Sequence, residues 1–85
     1  MNKLEINTSL VVLELHQKWR LGNSEKNVSI QSRNKALSVA QKYIKSERLN
    51  NAIDYLRCRH DNHIEPKVMT QIIDNAIVQL KKLIE

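Results

Sequence analysis

Apolar residues recur along this chain at three- and four-residue intervals, the spacing of helices with one side turned to a core. The first such segment runs from about Ser9 to Leu21, with Leu10, Val12, Leu13, Leu15 and Trp19 forming one broad apolar face. Thr8 or Ser9 is placed to cap its start with a hydroxyl acceptor. Gly22 follows its end, where a left-handed closing residue costs least. Asn23 to Ser29 is polar and reads as a loop.

The second segment spans about Ile30 to Lys45, with Ala36, Leu37, Ala40, Tyr43 and Ile44 as its stripe. The third spans about Glu47 to His60, with Leu49, Ala52, Ile53 and Leu56. In one continuous helix Ile44 and Ile53 would point to opposite sides, because nine residues make about two and a half turns. A break with Ser46 as the next N-cap removes that conflict; one long helix buried on different sides at its two ends is the alternative. A second polar stretch ends at Pro66, which suits a first helical turn because its missing N–H would have no partner there. The fourth segment, Pro66 to Ile84, carries Met69, Ile72, Ile73, Ala76, Ile77, Leu80, Leu83 and Ile84. It is the strongest amphipathic pattern in the chain.

These segments predict an all-α, three- or four-helix bundle forming a single domain over residues 1–85. The chain has no Phe and three aromatics, Trp19, Tyr43 and Tyr55. So thin a core leaves apolar surface that self-association would cover, and a homodimer is expected on size alone. No stretch approaches the roughly 20 apolar residues of a membrane span, and the short apolar run Leu10–Leu15 contains Glu14, unlike a signal sequence. With one cysteine and no disulfide framework, a cytoplasmic protein of bacterial or phage type is expected.

Charge changes the picture. The net charge of +5 is uneven. Residues 16–60 hold ten cations and three acids, a net of +7, while each flank carries −1. A basic centre attracts polyanions, whether phosphate backbones or acidic protein surfaces; a solvated cationic face with no partner has the same composition. Arg33, Lys35, Lys42, Lys45, Arg48, Arg57 and Arg59 are the candidate nucleic-acid contacts. A helix-turn-helix is a weak match: the turn lacks its usual glycine, although Arg48, Asn50 and Asn51 are base-reading types at a helix start. Tyr43 and Tyr55 have rings that stack on bases, but packing with an exposed hydroxyl is the commoner use.

Chemistry is sparse. Gly22 is the sole glycine, so no phosphate loop exists, and no carboxylate pair suggests acid–base work. Cys58, His60 and His63, near Asp61 and Glu65, make the one metal-like cluster, but Cys-x-His-x-x-His is not a common zinc spacing; no metal is expected. Cys58 between Arg57 and Arg59 reads as a small, partly buried residue more than a nucleophile. His16 is expected at the edge of the first stripe.

No enzyme activity, cofactor or small-molecule substrate is therefore expected. The leading reading is a small regulatory protein whose basic centre engages nucleic acid or a nucleic-acid-containing assembly. The alternative is a protein-directed adaptor, inhibitor or chaperone acting through the first and last helices, with Trp19, Met69 and Ile73 as anchors. Trp19 otherwise belongs to the core by its place in the stripe.

Overall fold

The structure, a computed structural model, describes residues 2–58 and 64–85. They form four helices: α1 Lys3–Arg20, α2 Ile30–Tyr43, α3 Glu47–Cys58 and α4 Pro66–Ile84. No strand occurs among the described residues. The architecture is the all-α small bundle that the spacing predicts. No described helix is long and apolar enough to cross a membrane.

The helix ends follow local backbone chemistry. Ser29 Oγ accepts from Ser32 N at the start of α2, and Ser46 Oγ accepts from Leu49 N at the start of α3 (3.1 and 3.2 Å). The break between the second and third segments is thus real. The intervening Ile44 has extended backbone (φ −85°, ψ 130°) and is buried, so the chain turns while keeping an apolar side chain inside. Gly22 closes α1 with φ +80°. Its N–H donates to Trp19 O and that of Asn23 to Lys18 O, the paired bonds of a Schellman ending.

Two boundaries differ from expectation. α1 begins at Lys3, not Ser9, because Asn2 caps it by accepting from Glu5 N (3.1 Å). The extra turn brings Ile6 into the core with no exposed surface. α2 stops at Tyr43, two residues before the expected Lys45.

α1 lies against both α2 and α4, while α3 closes the bundle on α4 and α2. Every helix contributes to the innermost layer: Ile6 and Leu13, Leu37, Ile53 and Leu56, Ile73 and Leu80 are fully buried. Each such side chain contributes about 1.5–3 kcal/mol before entropy is subtracted. Ala36, Ala40 and Ala76 are buried too, and small side chains at helix contacts let the axes approach closely. The radius of gyration is 11.9 Å, the value of about 12 Å expected for one compact chain of this length.

α1 and α4 are also fastened by polar groups. Gln17, 5% exposed, donates through Nε2 to Thr70 O (2.9 Å) and to Asp74 Oδ1 (2.8 Å). Arg20 donates to Gln17 Oε1, Thr70 Oγ1 and Pro66 O (2.8, 2.9 and 3.0 Å). The last C-terminal turn of α1 therefore holds the N-terminal turns of α4. Truncating the buried Gln17 removes its bonds to Thr70 O and Asp74 Oδ1, which costs about 1–3 kcal/mol for the two together. We expect Gln17→Ala to lower the urea midpoint accordingly, and Leu13→Ala to cost about 2–5 kcal/mol. Equilibrium urea unfolding checks both, and an unchanged midpoint for either contradicts the packing described here.

Candidate nucleic-acid interface

Of the seven expected contacts, Lys35, Lys42, Lys45, Arg48 and Arg57 are exposed. Lys35 and Lys42 are two turns apart on the α1 side of α2 and line an open groove of about 650 Å³ with Leu4, Thr8 and Val12. Arg57 approaches α2 from the other side, where its Nη1 donates to Gln41 Oε1 (2.7 Å). Gln41 in turn donates to Asp54 Oδ1 (2.6 Å) and Asn50 O (3.1 Å). That network sets α3 against α2 and fixes where Arg57 stands. Lys45 lies in the turn, and Arg48 in the first turn of α3. The acids Glu5, Glu47 and Asp54 are interleaved with these cations, leaving a modest local excess of positive charge.

Arg33 corrects the expectation. It is 3% exposed, with Nε and Nη2 directed at Asn34 Oδ1 (3.3 and 3.2 Å). Its spacing carried the signal: Arg33 precedes Ala36, Leu37 and Ala40 by three, four and seven residues, which places it on the buried stripe. Asn50 is likewise withdrawn from base reading, because its Nδ2 holds Ile44 O across the turn (3.1 Å). Asn51 remains exposed, as does Tyr55 at 44%. Arg48, Asn51 and Tyr55 thus follow at three- and four-residue spacing along the outer side of α3.

The protein-directed anchors divide. Met69 and Ile73 are 3% and 0% exposed and belong to the core, not to a surface. Trp19 is 44% exposed, against the expectation that it packs inside. It lies beside the His16 ring (centroids 6.3 Å apart) at the rim of a cleft with Arg20, Ile64 and Pro66. His16 is not at a stripe edge but 4% exposed, where its Nδ1 meets Asn27 Oδ1 (2.9 Å) and ties the 23–29 loop to α1. Cys58 is exposed instead of partly buried. Arg59, Asp61, His60 and His63 lie outside the described residues, and no metal-ligating cluster occurs among the described ones.

One acid at the edge of the cationic surface is electrostatically tuned. The Tyr43 hydroxyl donates to Glu5 Oε2 (2.7 Å), and Lys42 Nζ stands 3.5 Å from the same oxygen. The tyrosine hydrogen bond, with Lys42 adding to it, holds the Glu5 carboxyl below its ordinary value of 4.5. Reciprocally, Glu5 raises the Lys42 ammonium. The Glu5 contribution to stability is complete above pH 4.5 and disappears as pH falls through the lowered value. The Tyr43 phenol is therefore committed to this contact. We expect Tyr43→Phe to move the Glu5 titration upward toward 4.5, read by carboxyl NMR; an unmoved titration contradicts the hydrogen bond.

Comparison with known proteins yields no match for this chain among family models, curated proteins or solved structures.

Proposed function

We propose that the protein is a small non-enzymatic regulator that binds nucleic acid through the outer sides of α2 and α3. The observation that carries this reading is the row Arg48, Asn51 and Tyr55 on α3, all exposed, with Lys45 in the turn just before it; Arg57 faces α2 and Lys35 and Lys42 line the α1 side of α2, so they extend the positive field and not the row itself. Arginine and lysine neutralise phosphates, an amide pairs with base edges, and an aromatic face stacks on an unpaired base. Arg33 takes no part, since it is buried.

The interleaved acids set the scale. About three or four phosphate contacts correspond to a log–log salt slope of about −3 to −4 on duplex DNA. That is a moderate, salt-sensitive binder and not a compacting protein. An acidic protein surface would meet the same cations, and binding to nucleic acid alone separates the two.

The test is fluorescence anisotropy with labelled duplex DNA, duplex RNA and single-stranded RNA, across about 50–300 mM salt. We expect binding to at least one, with Arg48→Ala lowering the salt slope by about one unit. Tyr55→Ala should weaken single-stranded binding more than duplex binding. Absence of binding to all three at the lowest salt overturns the proposal.

A further inference from the structure

The fold of one chain leaves an apolar stripe of α1 uncovered. Leu4 is 75% exposed, Val11 66% and Trp19 44%, and Leu15 between them is half-buried. At about 100° per residue these four fall within about 80° of one another, on the side opposite Ile6, Leu10 and Leu13, and extend over about 22 Å. α1 is thus apolar on two opposite sides, one inside the bundle and one facing solvent. The other helices differ. On α4 the exposed Val68 and Val78 are separated by exposed Gln71 and Asn75, and Ile30 and Tyr55 stand singly on α2 and α3.

We propose that this stripe is the contact between two copies of the chain, packed as an antiparallel pair of α1 helices about a two-fold axis. Leu4, Thr8, Val11 and Leu15 alternate at intervals of four, three and four, the seam spacing of paired helices. A two-fold midway between Thr8 and Val11 sets Leu4 of each copy opposite Leu15 of the other, and Thr8 opposite Val11. The stripe is therefore complementary to itself, which an isologous contact requires. Parallel pairing would set Lys18 against Lys18 at the seam. The antiparallel arrangement separates those lysines by the helix length, opposes the two helix dipoles, and brings Asn7 beside Glu14 on the flank, with Lys18 beyond the seam near Lys3 of the second copy. Trp19 then overhangs the first turn of the second copy and covers the end of the seam.

The contact is small. A helix strip about 25 Å long and 10–12 Å wide on each copy offers about 500–600 Å² of facing surface in total, the size of a weak, transient contact. The dimer is therefore expected to be weak, dissociating at micromolar or higher concentration. Arg48, Asn51 and Tyr55 of α3 lie outside it, whereas Lys35 and Lys42 line the same groove as the seam residues Leu4 and Thr8.

Sedimentation equilibrium of the full chain from about 5 to 500 μM tests this directly, since the range covers micromolar and weaker association. We expect a monomer–dimer equilibrium that Val11→Glu weakens at least tenfold and Val78→Glu, on α4, leaves unchanged. Val11 is largely exposed in the monomer, so circular dichroism should report the same helix content and melting cooperativity for both variants. Orientation is read by mixing two Cys58→Ser chains, one carrying Leu4→Cys and the other Leu15→Cys. Antiparallel pairing cross-links the two different chains in preference to like with like. A wild-type monomer throughout, a dimer that survives Val11→Glu, or preferential like-with-like cross-linking overturns the proposal.

Discussion

Everything in this structure depends on how α1 spends its inner face. Ile6 and Leu13 have no exposed surface, and Leu10 is nearly as buried; around that row α2 and α4 take their places. The last turn adds direction to the apolar contact. Gln17 and Arg20 reach the backbone carbonyls of Thr70 and Pro66, which are specific points on the first turns of α4. Burial is indifferent to small shifts along a helix, whereas hydrogen bonds to named carbonyls are not. The network therefore fixes the register of α4 against α1, and α4 in turn presents Met69, Ile72 and Ile73 to close the interior.

The parts of the fold that were legible in the sequence are those set by local backbone chemistry. Gly22, Ser46 and Pro66 each mark a boundary because a left-handed residue, a hydroxyl acceptor or a missing N–H matters wherever the chain goes afterwards. The start of α1 was less legible: Asn2 caps it, but nothing marks Ile6 as core until α2 and α4 are in place. The breadth of the first stripe misled for a related reason. Leu10 and Leu13 face inward while Leu15 and Trp19 face outward, and spacing alone assigns apolar residues to a helix side without saying that both sides are used. Arg33 was counted as surface from its charge, although its register with Leu37 and Ala40 is that of a buried residue.

The candidate site illustrates the same division at the level of chemistry. The sequence shows a basic centre as a stretch, but a stretch wound into two helices distributes its charges around them. Arg33 goes inside, and Arg57 is held by Gln41. Lys42 is drawn to Glu5 by a 3.5 Å contact. What emerges is a set of cations spread over several sides of the two helices, of which Arg48 stands in line with one amide and one aromatic. The outward side of α1 adds an apolar strip whose Leu4 borders the groove of Lys35 and Lys42. An 85-residue chain with a core of aliphatic side chains and one two-sided helix thus places an apolar strip directly beside a cationic groove.

The claim that α1 organises the bundle is tested most directly by native-state hydrogen exchange of the backbone amides, resolved by residue. The account predicts that amides of Leu10 to Leu15 exchange only through global unfolding, with the same free energy as those of Ile73 to Ile77. α3, which packs mainly from one side, should open at lower free energy. Fast, independent exchange of the α1 amides while α2 and α4 stay protected would contradict it, because the other helices would then be packing without the element on which they are said to depend.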